Sequence, residues 1–396
     1  MEHKVLIANT PGLVQRQTMP SFLRFLPPVL TGLWLSVIMV PAAASEKKDD
    51  LLIAARQWAV ESGKAVARDR LEKAMIEQDD GRNFFERRIW KVNENKDYAY
   101  PDAASHLTES QRSRTGVYFV LGYQKDQGDS PPIIRAVAEE LRRQGFHAVA
   151  IETEERKSAD ESALEIAALL SEDLKKVDRA MLIGFSKGAY DIVRFLTGPA
   201  EHLPAHDQKK LRLLVNFSGV LRGSCVADWA AHDHYIGAYA FRAYLNIRSG
   251  SLLRNFDDVS SIADDPWQNP SMPSLREHAP NLKYVINYPA LPEGKDGFTH
   301  KDWLFHRLAR SCECKKRIPG PYDGLVESAA SILPPDVEVP QWIVRVRGSH
   351  SLLDGEYLNG GTVAPSYYKG EKGRVHSGIE LMDDMLRALP KSALGW

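Results

Sequence analysis

From residue 115 onward, short and mostly apolar runs alternate with longer stretches whose apolar residues recur every three or four positions. Val117-Tyr118-Phe119-Val120-Leu121 is the first run; His147-Ala148-Val149-Ala150-Ile151, Ala180-Met181-Leu182-Ile183 and Leu211-Arg212-Leu213-Leu214-Val215-Asn216-Phe217 follow. Apolar runs of this length, bounded by polar or glycine-containing turns, predict buried strands. Between the first two, Ile134, Val137, Ala138 and Leu141 form a helical stripe, opened by Ser130-Pro131 and ended at Gly145. Between the next two, Ser158 and Glu161 make a capping-box pattern ahead of Ala163, Ile166, Ala167, Leu170, Leu174 and Val177. A third stripe, Ala189, Ile192, Val193 and Leu196, follows the third run. Strand, helix, strand, helix, strand at these spacings predicts parallel strands joined by right-handed crossovers. Tyr284-Val285-Ile286-Asn287-Tyr288 and Trp342-Ile343-Val344-Arg345-Val346 add two strands, and Ile379, Met382, Leu386 and Leu389 stripe a closing helix. The expected fold class is α/β, a mostly parallel central sheet flanked by helices.

The flanking segments differ from this pattern. Residues 46–79 read as helix, with Leu51, Ala54, Ala55 and Trp58 on one face. Residues 80–114 are polar and irregular, with a short strand expected near Ile89 to Val92. Residues 45–114 therefore read as an N-terminal helical appendage that packs but carries no chemistry, ahead of a main domain over 115–396. Within that domain, residues 220–281 are too long for a simple crossover. They carry Trp229, Tyr235, Tyr239, Phe241 and Tyr244 and are expected to form a helical cap. Trp229, Tyr235 and Tyr239 would then shape the substrate pocket; the alternative is a structural insertion remote from it.

The first 44 residues have the plan of a secretory signal. Arg16 and Arg24 precede the mostly apolar run Val29 to Val40, and Pro41-Ala42-Ala43-Ala44-Ser45 offers an Ala-x-Ala cleavage site after Ala44. A start at Met19 would give a signal of ordinary length. The expected location is periplasmic or secreted, with membrane contact only if residues 29–40 stay uncleaved as an anchor. An oxidising compartment allows Cys225 to pair with Cys312 or Cys314, and the sequence does not choose between them. Formal net charge is −1 and there is no long Lys/Arg cluster, Lys315-Lys316-Arg317 being a short basic run, so nucleic acid is not an expected partner. His232-Asp233-His234 and Cys312-x-Cys314 lack the companions of a metal-ligand set, and no cofactor is implied.

The chemistry centres on Gly184-Phe185-Ser186-Lys187-Gly188, which lies between a strand run and a helical stripe. A serine there stands on a strained turn at the strand end, with glycines where neighbouring backbone must pack closely. Serine is a weak nucleophile at neutral pH and needs a base within hydrogen-bond reach and an acid to orient that base.

With Val120-Leu121-Gly122-Tyr123, Asn216-Phe217-Ser218-Gly219, Tyr322-Asp323-Gly324-Leu325-Val326 and Gly348-Ser349-His350, this motif resembles the α/β-hydrolase superfamily. Within it the chain looks like the bacterial lipase- or esterase-like serine hydrolases, over about residues 115–390. The resemblance implies a Ser, acid, His order along the chain. His350 directly follows a strand run and precedes the closing helix; His376 is the runner-up, and His300 and His306 precede the last strand. Asp323 and Asp296 both fall between the last two strands, and Asp323 is preferred because its Asp-Gly turn precedes a helix-like run. The oxyanion donors implied are the N–H of Lys187 and one from Tyr123 or Gln124. Two departures stand out: the first loop lacks the His-Gly dipeptide common in lipases, and Lys187 replaces a smaller residue after the nucleophile. The implied activity is hydrolysis of a small-molecule or lipid carboxylic ester through an acyl-enzyme. An acyltransferase or peptidase with the same triad, or a non-catalytic binding protein, are the alternatives.

Overall fold

The chain places β1 (Thr115–Val120), β2 (His147–Ile151), β3 (Arg179–Phe185), β4 (Leu211–Phe217), β5 (Tyr284–Tyr288) and β6 (Gln341–Ile343) in one six-stranded sheet. Strand order is β2-β1-β3-β4-β5-β6, and every neighbouring pair is parallel. The structure, a computed structural model, describes residues 50–78, 102–122, 132–153, 157–232, 236–248, 257–269, 272–292, 320–321, 323–344, 350, 357–358, 362–363, 368–369, 375–376 and 378–396. Residues 47–396 form one compact unit.

Helices α1 (Leu51–Ser62) and α2 (Lys64–Gln78) precede the sheet. Three more, α3 (Pro132–Arg143), α4 (Ala159–Asp173) and α5 (Lys187–Leu196), connect the first four strands. Between β4 and β5 lie α6 (Cys225–His232) and α7 (Ile236–Arg248), and α8 (Gly378–Ala388) follows the sheet. The central strands are buried on both faces, which is why they read as continuous apolar runs. Alternate side chains divide between two cores. Tyr118, Val120, Leu182, Leu214 and Val285 pack with α4 and α5, and with Leu51, Leu52 and Ala55 of α1 and Leu71 and Met75 of α2. Val117, Phe119, Met181, Ile183, Leu213, Val215 and Ile286 pack with α3 and α8.

Several elements differ from the sequence reading. The single helix expected over 46–79 is two helices, because Gly63 adopts φ 80°, outside the helical region. β3 runs on to Phe185, past the apolar run, while β6 ends at Ile343 and residues 345–349 lie outside the described residues. The short strand expected near Ile89 to Val92 also lies outside them, as do residues 1–49 with the expected signal. Among the described residues, no helix is long and apolar enough to cross a membrane. In the segment 220–281, Cys225 is disulfide-bonded, and both possible partners lie outside the described residues. His232 pairs within its own helix with Asp228 at 2.9 Å.

On edge strand β2, His147 Nε2 lies 2.5 Å from Asp173 Oδ2, and Lys176 Nζ donates to Asp173 Oδ1 at 2.5 Å. Burial raises the Asp173 carboxyl, but the bonds from Lys176 and His147 outweigh it and hold it below the ordinary carboxylate range. A carboxyl depressed in the folded state stabilises above its unfolded pKa, and that contribution disappears as pH falls through the folded value. Urea midpoints are therefore expected to drop as pH falls below about 4, and Asp173→Asn should make that drop shallower. Superimposable pH dependences for the two proteins would contradict this role of Asp173.

Candidate active site

β3 ends at Phe185 and α5 begins at Lys187, so the chain reverses through a single residue, Ser186. Its backbone sits at φ 50°, ψ −125°, a region that costs a non-glycine residue about 1–3 kcal/mol. Neighbouring groups hold it there. Ser186 N donates to Phe217 O at 3.2 Å, and Ser186 O accepts from Val220 N at 3.1 Å and Ala189 N at 3.2 Å. Gly184 and Gly188 make the turn sterically possible. A Cβ on Gly184 would overlap Ala189 Cα, and one on Gly188 would overlap Val120 O. Serine at a helix N-cap ordinarily accepts a bond from the helix's first turn. Here the side chain caps nothing, because the backbone turns it away from the helix.

The hydroxyl instead meets His350, whose Nε2 lies 2.8 Å from Ser186 Oγ. The other ring nitrogen, Nδ1, lies 3.0 Å from Asp323 Oδ2. An ionised carboxylate only accepts, so Nδ1 carries the proton in the neutral ring and Nε2 presents a lone pair to the serine. Asp323 is buried, and its second oxygen, Oδ1, accepts from Leu325 N at 3.0 Å and Val326 N at 2.8 Å. That turn needs Gly324, which adopts φ 119°. The main chain adds a direct tie, His350 N to Asp323 O at 3.0 Å. Ser186 follows β3, Asp323 follows β5 and His350 follows β6, so all three gather at the carboxyl edge of the sheet. His376 is in the short strand Val375–His376, and Asp296, His300 and His306 lie outside the described residues.

The first N–H of α5 belongs to Lys187, at a helix N-terminus whose leading donors have no intrahelical acceptor. Gly122, after β1, approaches this corner closely: a Cβ there would lie 2.7 Å from Ser186 Cβ and 3.3 Å from Lys187 N. Tyr123 and Gln124 lie outside the described residues. The Lys187 side chain is buried among protein groups. Its ammonium donates to Asp191 Oδ1 at 2.8 Å, Asp191 Oδ2 at 2.9 Å and Ser162 Oγ at 3.2 Å. The charge is thus matched one helical turn along α5, with side-chain exposures of 4% for Lys187 and 1% for Asp191.

Beneath the site, Phe185, Phe217 and Tyr288 stack across β3, β4 and β5 at 5.4 and 4.3 Å. A polar ladder crosses β4, β5 and β6. Asn216 Nδ2 donates to Asn287 Oδ1 at 3.0 Å and Ser331 O at 2.6 Å, and Asn287 Nδ2 donates to Gln341 Oε1 at 2.9 Å. Of the expected pocket residues, Trp229 is buried in the core 5.6 Å from Phe241, and Tyr239 is exposed beneath the Arg242 guanidinium. Neither makes a described contact with Ser186, Asp323 or His350, and Tyr235 lies outside the described residues.

A parallel sheet in this order, a serine on a one-residue strand-to-helix turn, and an acid and a histidine on the loops after the last two strands define the α/β-hydrolase fold. No family model and no curated protein matches the chain. Among solved structures, it is similar to a metagenomic carboxyl esterase at 12% identity and a TM-score of 0.48, covering 80% of this chain and 92% of that one. The Bacillus licheniformis lipase BlEst2 in mature form gives 17% identity and a TM-score of 0.40, over 60% and 85% of the two chains. Phospholipase PlaB from Legionella pneumophila gives 13% and 0.37, over 55% and 45%. The fold assignment rests on sheet order and the serine turn, and not on these likenesses.

Removing one member of a buried ion pair strands the other. Lys187→Met is expected to cost about 3–5 kcal/mol of unfolding free energy, and adding Asp191→Leu should restore most of it. Chemical denaturation checks both, and a single variant as stable as the parent would contradict the pairing.

Proposed function

We propose that the protein is a serine hydrolase of carboxylic esters, using Ser186 as nucleophile, His350 as general base and Asp323 as the acid that orients it. The observation that carries this reading is the 2.8 Å approach of His350 Nε2 to Ser186 Oγ. Ser186 Oγ attacks the ester carbonyl carbon as His350 Nε2 takes the hydroxyl proton. The imidazolium so formed is stabilised by Asp323 across the Nδ1–H bond. The carbonyl oxygen, now negative, accepts hydrogen bonds from the Lys187 N–H and a second donor on the loop after Gly122. Such donors are each worth about 10²–10³ in rate. The tetrahedral intermediate collapses, His350 passes its proton to the departing alkoxide, and the alcohol leaves an acyl-serine. Water, activated by His350, then attacks the acyl carbon; the acid is released and Ser186 regains its proton.

The substrate class proposed is a small-molecule or lipid carboxylic ester, with residues 115–396 carrying the chemistry and the insertion over 220–281 acting as its cap. We further propose that residues 1–44 direct export to the periplasm or medium. The disulfide at Cys225 supports that location, since such bonds persist in oxidising compartments.

A fluorophosphonate applied to the chain from Ser45 onward is expected to label it once, and Ser186→Ala should abolish the labelling. The same substitution should reduce turnover of p-nitrophenyl butyrate by about 10⁴–10⁶-fold with the fold intact. Undiminished labelling or turnover in a folded Ser186→Ala protein would refute the assignment.

A further inference from the structure

The loop that carries Asp323 is gripped from a distant part of the chain. Arg56 on α1 takes the Glu327 carboxylate in a fork, Nη2 to Oε1 at 2.8 Å and Nε to Oε1 and Oε2 at 3.2 and 3.1 Å. The partners are 271 residues apart in sequence, and Glu327 is only 3% exposed against 44% for Arg56. Glu327 directly follows Val326, whose N–H holds Asp323 Oδ1 at 2.8 Å. It also opens the turn Ser328–Ser331.

Helix α1 grips a second point. Asp50 caps α1 through Leu52 N at 3.0 Å, and the same carboxylate pairs with buried Arg222 on the loop after β4, at 2.6 Å through Nη2. Arg222 is completed by Asp265 at 2.6 Å, and its backbone N donates to Ala330 O at 3.0 Å. From the same loop, Ser224 Oγ donates to Leu325 O at 2.7 Å. Leu51, Leu52 and Ala55 of α1 share one core with Val326, Ala329 and Ala330. Among the described residues, the charged groups facing Glu327 are Arg56 from α1 and Arg222 from the loop after β4.

We propose that Arg56 and Glu327 are positioning residues for the catalytic acid, and that α1 is therefore a working part of the catalytic domain. The proposal rests on the Ser186–His350–Asp323 reading above. Its physical basis is a short chain of constraints. A guanidinium fork fixes the Glu327 carboxylate in plane and direction, which a single ammonium does not. Fixing Glu327 fixes the path of the preceding backbone, and so the direction of the Val326 N–H. That N–H and the Leu325 N–H set the plane of the Asp323 carboxylate, and the plane aims Oδ2 at His350 Nδ1. The Asp323–His350 contact matters most when the ring is charged, as it is in the transition state but not in the substrate complex. Loosening the loop should therefore lower kcat and leave KM nearly unchanged. It should also lower the pKa of His350, because the imidazolium loses a well-placed anion. Burial already raises the Glu327 carboxyl and the Arg56 guanidinium opposes that rise, so removing Arg56 pushes the carboxyl further up and weakens its charge near the site.

The test uses the chain from Ser45 onward and its Arg56→Met, Arg56→Lys and Glu327→Gln variants. Three quantities are measured: steady-state hydrolysis of p-nitrophenyl butyrate, the His350 titration by ¹⁵N-histidine NMR, and thermal unfolding. Arg56→Met and Glu327→Gln should each lower kcat by about 10- to 100-fold, with KM within about twofold. The His350 pKa should fall by about one unit in the same two variants. Arg56→Lys, which keeps the charge but not the fork, should fall between them and the parent. Should Arg56→Met fail to fold, Arg56→Lys and Glu327→Gln decide the matter. A merely structural role would lower the melting temperature and leave the His350 titration and kcat of the folded protein unchanged, and that result overturns the proposal. A parent protein with no Ser186-dependent turnover would overturn the hydrolase reading separately, while the His350 titration would still decide whether Arg56 and Glu327 position Asp323.

Discussion

Everything at the carboxyl edge of the sheet depends on one backbone conformation, that of Ser186. A residue with a side chain occupies a region usually left to glycine, and it stays there because its surroundings leave no other path. The carbonyl of Ser186 serves as acceptor for both Ala189 and Val220, and its N–H is taken by the end of β4. Two glycines let α5 and the end of β1 close against the turn. The strain is thus balanced by packing and hydrogen bonds spread over three strands and a helix. In return, a hydroxyl that would ordinarily cap a helix is turned towards the loop bearing His350.

The cluster of Ser186, His350 and Asp323 has a rigid side and a suspended side. Ser186 stands between a central strand and a buried helix, whose buried Lys187 is matched internally by Asp191. Asp323 and His350 stand on loops beyond shorter, later strands. Their alignment comes from local turns, from the polar ladder through Asn216 and Ser331, and from the α1 contacts at Glu327 and Arg222. An α/β core of this kind sets strand ends accurately, while loops need separate support.

What can be read from the sequence follows how local each feature is. The serine turn is legible because its strand run, its motif and its helical stripe are contiguous. The Asp323 turn is legible for the same reason: Asp-Gly asks for a left-handed residue, and Gly324 supplies it. Even the Lys187–Asp191 pair has a signal in its spacing of four along an amphipathic helix. Gly63 is a local signal too: the apolar stripe from Leu51 to Trp58 ends before it, and its positive φ breaks the helix there. The contacts of Arg56 with Glu327 and of Arg222 with Asp50 have no local signature, because they exist only once the sheet has brought both ends of the chain together. The N-terminal segment, which reads as packing alone in the sequence, therefore touches the loop bearing Asp323. Trp229 shows the opposite limit: its aromatic character fits a pocket wall, and burial against Phe241 makes it a core residue.

The central claim is that Ser186 forms a covalent acyl intermediate. It is tested most directly by mixing the protein with p-nitrophenyl butyrate, quenching in acid within the first turnover, and mapping peptides by mass spectrometry. The account expects a butyryl group on the peptide containing Ser186, at that residue, accumulating further when deacylation is slowed at low pH. Ester consumption with no adduct at Ser186, or with the adduct on another side chain, would contradict it.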